Sequence, residues 1–468
     1  MLLRVCKAFY LSTLDISQRR ISYFHVTKLE SGIPRESLKG KHRQVSQKSQ
    51  QIQDKIRSHI QSIPRVASHY CRARTNKEYM ESGLNLRRLY GLYVEKCTQD
   101  EIDVGSESMY RHIFNHEFNI EFQKPKSDRC DACEAFRLQK APGTEETAKH
   151  EKHIQSKNDT RNERDRDRAV SATDTAVICF DLQNVVSLPR ANISSFFYRR
   201  KLNVYNLTVH VTINSEKTGF CAVWNEGMAG RGANHIASAL VAVLKRILND
   251  RPTIRRMIIW SDSCVPQNRN SIISFALLWF MQNNPCVESI HQKYCEPGHS
   301  SIQEVDNLHS QIEKRMKIQE VYSPVSLIRL LLQVNQQNPL RIVQMKPASF
   351  LDYQTHSCCF SFNKIPYSKV KEIVYTKPNT LQYKVSFQLE EFALVNVQHR
   401  ATRHQTEDSH IVLPTPGQCP SGAPLSHDKV NDLKAMLAFM PECDQCYMET
   451  LWKDQPEKTR LNTRKKKK

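Results

Sequence analysis

No apolar run in this sequence approaches the ~18 residues that a membrane-spanning helix needs. The longest, Ile272 to Met281, reads as a core helix. A soluble protein with no membrane partner is therefore expected. A disulfide framework is missing too: the fifteen cysteines are scattered over 468 residues, several sit in apolar strands (Cys179, Cys221), and two pairs alone have metal-like spacing. A reducing compartment fits that usage. Acid is scarce at the amino end, where the first 80 residues hold sixteen Lys/Arg against five Asp/Glu. The opening MLLRVCKAFYLSTLDISQRR has the composition of a mitochondrial presequence, but Asp15-Ile16-Ser17 breaks the amphipathic run where a presequence would continue. Glycine is absent from WSDSCVPQNRNS (260–271), directly behind the apolar Met257-Ile258-Ile259.

What is present points to a folded, polyanion-binding chain. A hydrophobic content of 39% supports a real core, and the length suits two or three domains. The 68 Lys+Arg against 48 Asp+Glu draw nucleic acid or anionic surfaces by long-range field, a choice that charge alone does not make; with the motifs below, DNA is the expected partner. The terminal Arg464-Lys465-Lys466-Lys467-Lys468 suits nuclear import or phosphate contact, and the nucleus is the expected location.

Two helix-break-helix patterns occupy residues 1–139. VCKAFYLSTLDISQRRISYF breaks at Asp15-Ile16-Ser17 with Ser17 as cap, and LNLRRLYGLYVEKC is followed by DVGSES and then SMYRHIFNHEF. Ordinary helical hairpins would read the same way. Residues 140–170 carry charges of both signs and almost no apolar residues, as a solvated helical linker would. From 171 to 320 the expected order is strand, hairpin of two strands joined at Ser215-Glu216-Lys217, helix, strand, helix, strand, helix. That α/β order, a mixed sheet flanked by helices, is what a ribonuclease H-like fold requires. Residues 321–400 read as a small α+β module, and 401–468 as linker, short helix and polybasic tail.

Within that fold Asp181 ends the first strand and Asp262 the fourth, which are neighbours, while Asp306 or Glu304 comes from the last helix. Three carboxylates at one point repel unless a divalent cation compensates, and oxygen ligands suit Mg²⁺ or Mn²⁺. Two such ions about 4 Å apart stabilise the attacking and leaving oxygens of a phosphodiester displacement. Ser301-Ile302-Gln303-Glu304 is a capping-box pattern, which gives Glu304 a structural task and favours Asp306, on one face with His309 and Glu313, as the third acid. Gln267, Asn268 and Arg269 are placed to bind substrate, and His299 to serve the scissile phosphate, although turn-forming roles would use the same residues. Glu226 is a fourth acid or a loop carboxylate paired with Arg231. Cys130 and Cys133 have the half-site spacing of a structural Zn²⁺ site, completed by His112 and His116 or by His150 or His153. Cys443 and Cys446 lie in amphipathic helical sequence without further ligands nearby.

RSHIQSIPRVASHYCRA, MYRHIFNHEFNIEFQKPKSDRCDAC, FDLQNVVSLP, WSDSCVPQNRNS and EPGHSSIQEVDNLHSQIEK together resemble a large, mostly uncharacterised family of transposon-derived animal proteins, over about residues 4–400. The resemblance implies a transposase-type, ribonuclease H-like domain with its acids at Asp181, Asp262 and the Glu304/Asp306 pair. It is imperfect at Val265-Pro266, where members carry glycines, at His116, and at the amino end, where members extend into a cysteine-rich segment; a fragment or decayed copy would look like this. The expectation is metal-dependent phosphodiester cleavage or strand transfer, by a protein that forms a homo-oligomer. Its rivals are a domesticated, catalytically inactive nucleic-acid-binding protein and a host-protein scaffold.

Overall fold

The structure, a computed structural model, describes residues 4–33, 47–65, 78–80, 84–122, 130–139, 143–299, 304–377, 380–398, 413–419 and 424–453. The polybasic tail Arg464 to Lys468, the capping segment Ser301-Ile302-Gln303 and most of the 401–428 linker lie outside them.

The chain divides into two compact units, the first formed by residues 1–61 and 86–118. It contains α1 (Lys7–Leu14), α2 (Gln18–Thr27), α3 (Gln47–Ser62), α4 (Leu86–Gln99) and α5 (Glu107–Glu117). Between α1 and α2 the chain turns at Asp15, in the left-handed region with φ 49°, and the Ser17 hydroxyl accepts from the Arg20 N–H as the expected cap. Neither helix buries a side chain. The packed part is α3, α4 and α5: Ile56 and Ile60, Leu89 and Leu92, and Ile113 and Phe114 are buried at helical spacing. Among them His59 Nδ1 lies 2.9 Å from the Tyr110 hydroxyl, whose ring is 5.4 Å from that of Tyr93.

The second unit is formed by residues 62–85 and 119–468. A small parallel pair, β1 (Glu78–Met80) and β2 (Ile120–Phe122), precedes α6 (Asp131–Leu138) and α7 (Thr144–Arg168). Next come β3 (Thr175–Leu182), β4 (Val186–Leu188), β5 (Leu202–Ile213), β6 (Glu216–Asn225), α8 (Ala233–Asp250), β7 (Arg256–Ser261), α9 (Ser271–Gln282), β8 (Ser289–Tyr294) and α10 (Glu304–Ile318). The chain continues with α11 (Pro324–Gln333), β9 (Arg341–Gln344), α12 (Tyr353–Ser357), β10 (Glu372–Thr376), β11 (Thr380–Lys384), β12 (Ala393–Asn396), α13 (His427–Met436) and α14 (Glu442–Lys453).

All strands after β2 form one mixed ten-stranded sheet in the order β12-β11-β10-β8-β7-β3-β5-β6-β9, with β4 also paired to β5. β3, β7 and β8 run parallel, and β5 is antiparallel to both β3 and β6. The β5–β6 hairpin turns at Asn214-Ser215, one residue earlier than expected, because both residues adopt positive φ (45° and 68°) as a two-residue hairpin of this twist requires. Helices cover both faces. Ile178 and Phe180 point into the core with α8 and α9, whereas Cys179, Ile258 and Trp260 point to the opposite face, where Val305 of α10 meets them.

Two expected boundaries dissolve here. Residues 321–400 are not a separate module: β9 pairs with β6 and β10 with β8, so the segment widens the same sheet on both sides. Within 140–170 the described helix Thr144–Arg168 is as expected, but it is not a solvated linker. His153, Ser156, Thr160, Arg164 and Asp167 recur at three- and four-residue intervals, one stripe of α7, and the last three are buried. The stripe bonds instead of burying apolar surface. Trp260 Nε1 donates to Asp167 Oδ2 at 2.8 Å, and Lys293 Nζ donates to the same carboxylate at 2.8 Å and to Glu163 at 2.7 Å. No helix among the described residues is long and apolar enough to cross a membrane.

Candidate functional site

Parallel pairing of β3 with β7 sets Cys179 beside Trp260. Asp181 and Asp262 each follow this pair by two residues, at the carboxyl ends of the two adjacent strands. Strand alternation points both toward the face that α10 covers. On α10 the residues Val305, Leu308, Ile312 and Met316 are buried against the sheet, so Asp306, His309 and Glu313 fall on one flank and Glu304 on the other, at 100° per residue.

The first flank builds the acidic cluster. Ligand atoms of Asp181, Asp306 and His309 all lie within 4.8 Å of one another. Farther along the same side, Gln183 donates to Glu313 at 3.4 Å. Burial pushes the His309 imidazole down to about 4, so the ring is neutral near pH 7. Its Nε2 is closed off from solvent and has no hydrogen-bond partner. A neutral imidazole with an orphaned nitrogen, beside two carboxylates, is a donor set that fits a cation. Asp181 and Asp306 thus meet as expected, and His309, from the same helix face as Asp306, joins them.

Asp262 is used differently. Its Oδ1 accepts from Asn268 Nδ2 at 2.5 Å and from the Cys264 N–H at 3.2 Å, which closes the loop after β7. Asn268 and Arg269 are correspondingly buried rather than presented to a substrate. The Arg269 guanidinium donates to the Val370 carbonyl at 3.3 Å and lies over the Tyr294 ring, and burial lowers its pKa. Gln267 alone of the three remains half-exposed.

Glu304 stands apart from the acids. It forms ion pairs with Arg164 and, at 2.5 Å, with Arg168 Nε. Burial alone would raise its carboxyl, but the two guanidiniums and the backbone bond at the helix start hold it down to about 2. These residues edge a cleft of about 330 Å³, also lined by His210, Lys217 and Trp260, in which the buried Arg164 leaves Nε unbonded. The cleft and the acidic cluster therefore occupy opposite flanks of α10.

A second cluster forms where sequence reading had half of it. Cys130, Cys133, His153 and His299 bring their ligand atoms within 4.8 Å of one another. His299, expected near the acids, belongs here: its Nε2 lies 3.1 Å from His153 Nε2 and 3.5 Å from Cys133 Sγ. The turn after β8 carries it away from the end of β3. His150 stacks on Phe136, ring centroids 4.0 Å apart, and His112 stacks on His116 within α5; neither pair joins the sulfurs. Glu226 is a structural carboxylate that accepts from Asn203 at 2.9 and 3.0 Å and pairs with Lys429 at 2.6 Å. Cys443 accepts from Arg329 and, like Cys446, is exposed.

Compared with known proteins, the chain matches no protein-family model, no curated protein and no solved structure.

Proposed function

We propose that this is a transposase-like DNA-processing protein of the nucleus, with a ribonuclease H-like core that cleaves or joins phosphodiesters at the Asp181-Asp306-His309 cluster. The observation that carries the reading is the approach of these three donors to within 4.8 Å. The strand order β6-β5-β3-β7-β8, with β5 antiparallel to its neighbours, supports the fold assignment, since it makes the first and fourth strands of the series adjacent.

In this reading Asp181 and Asp306 supply oxygen ligands to a divalent ion and His309 a nitrogen. Mixed oxygen and imidazole donors suit Mn²⁺ better than Mg²⁺. Bound there, the ion supplies Lewis-acid stabilisation of charge on the phosphoryl oxygens. Asp262 orders the β7–α9 loop through Asn268, and that loop holds half-exposed Gln267 at the rim for sugar or phosphate contact. The basic amino-terminal helices provide the sequence-independent attraction to the DNA backbone.

The test is nicking of labelled duplex DNA by the purified chain with Mg²⁺ or Mn²⁺. Turnover is expected, greater with Mn²⁺, and abolished in Asp181→Asn and in Asp306→Asn. Cleavage that survives both changes together would overturn the assignment. A second reading has its own support: Asp262, the third acid of the expected set, is committed to Asn268 and the Cys264 N–H. It describes a domesticated binder without chemistry, and predicts salt-sensitive DNA retention with no turnover in either ion.

A further inference from the structure

We propose that Cys130, Cys133, His153 and His299 form a closed, four-coordinate Zn²⁺ site that fastens α6 and α7 to the segment between β8 and α10. Three of the six donor–donor edges lie near tetrahedral values, and all six are within 4.8 Å. Zinc legs of ~2.05 Å to nitrogen and ~2.3 Å to sulfur give N···N edges of about 3.3 Å and S···N edges of about 3.6 Å. Here His153 Nε2 and His299 Nε2 are 3.1 Å apart, Cys130 Sγ is 3.2 Å from His153 Nε2, and Cys133 Sγ is 3.5 Å from His299 Nε2. Two sulfurs and two imidazoles select Zn²⁺ over the hard ions suited to the acidic cluster. With four protein donors no coordination position is left open for substrate, so the ion is structural.

The surroundings are built to hold this arrangement. His153 turns its second nitrogen, Nδ1, to Glu296 Oε1 at 3.4 Å. Glu296 is itself held by Ser156 Oγ at 2.5 Å and by Lys371, the carboxylate-histidine pairing that orients a metal ligand. Gly298, next to His299, has φ +77°, and a Cβ there would stand 2.9 Å from Cys130 Sγ and 3.0 Å from its Cα. Only glycine lets this turn lie on Cys130 and so deliver His299 to the sulfurs. The Phe136–His150 stack joins α6 to α7 beside the site.

The site also bears on the acidic cluster without belonging to it. His299 precedes the first residue of α10 by five positions, and α10 carries Asp306 and His309. The proposal holds whether or not the acids catalyse.

Elemental analysis of the full chain, purified without added metal, tests it. About one zinc per chain is expected, together with intense visible absorption after replacement by Co²⁺, as tetrahedral thiolate coordination gives. Cys133→Ala and His299→Ala should each lose the zinc or the tetrahedral spectrum, while His116→Ala retains both. Should a variant fail to fold, wild-type chain stripped by a chelator and refilled with Co²⁺ gives the same spectroscopic answer. Asp181→Asn should keep its zinc and lose nicking, so the two sites report separately. Wild-type chain with no zinc and a Cys130–Cys133 disulfide, or a Cys133→Ala/His299→Ala chain with undiminished zinc, would overturn the proposal.

Discussion

Glu304 and Asp306 stand two residues apart on α10 and face opposite flanks of it, one into a guanidinium pair and the other toward Asp181. Their neutral variants should therefore behave differently. Glu304 has a folded pKa near 2 against an ordinary value of 4.5, so its stabilisation is complete above about pH 4.5 and is lost as pH falls toward 2. In urea melts Glu304→Gln should be less stable than wild type at pH 7, with the gap closing across that window. Asp306→Asn relieves repulsion with Asp181 and should match or exceed the metal-free stability of wild type, yet lose any Mn²⁺-induced rise in Tm.

Lys293 is buried among three carboxylates on two segments: Glu163 and Asp167 of α7, and Glu372 of β10 at 3.9 Å. Removing one partner of such a group leaves charge without compensation, which typically costs ~3–5 kcal/mol. Lys293→Met should show a loss of that order in denaturant unfolding. Adding Asp167→Asn should recover part of it, because one stranded charge disappears.

In the helical unit the acid response is set by His59, whose pKa burial, helped by Lys96, lowers from 6.5 to about 4. The folded unit resists protonation that the unfolded chain accepts, so stability falls as pH drops from about 6.5 to about 4 and then levels off. The full effect is on the order of 3 kcal/mol. Amide protection factors in α3 to α5, taken relative to the intrinsic exchange rate at each pH, should fall over that interval in the full chain. His59→Leu should flatten the dependence; an unchanged slope would show that another group governs it.

Gly219 sits on β6 beneath α10, where a Cβ would lie 2.5 Å from Leu340 Cδ2 and 3.2 Å from Leu308 Cδ1. Gly219→Ala should cost about 1–3 kcal/mol through crowding. Since Leu308 lies between Asp306 and His309, the change should also weaken Mn²⁺ binding, read by isothermal titration. Leu340→Ala in the same chain should restore both in part.

The elements that periodicity marks were legible. Apolar strands of β3 and β7, the amphipathic α8 and α10, and the Ser17 cap all follow from spacing and side-chain type. α7 was misjudged in role because its buried stripe is made of His153, Ser156, Thr160, Arg164 and Asp167, and no scale of hydrophobicity distinguishes a polar stripe that bonds from one that is solvated. His299 was half-readable: a histidine after Pro297-Gly298 is visible as special, but its sulfur partners lie more than 160 positions upstream. The third donor beside Asp181 and Asp306 could have been weighed from helix geometry, since His309 is one turn after Asp306, but nothing in a one-dimensional pattern says that Asp262 would spend its oxygen on its own loop.

The strands that follow α10 have a consequence for how this protein can be taken apart. β9 and β10 cap what would otherwise be open backbone on β6 and β8, and both come from residues beyond 340. A chain cut at residue 320 would keep the residues of both proposed metal sites and still expose two rows of unpaired amides and carbonyls, a template for intermolecular pairing. The five-stranded centre is thus inseparable from its late-arriving borders.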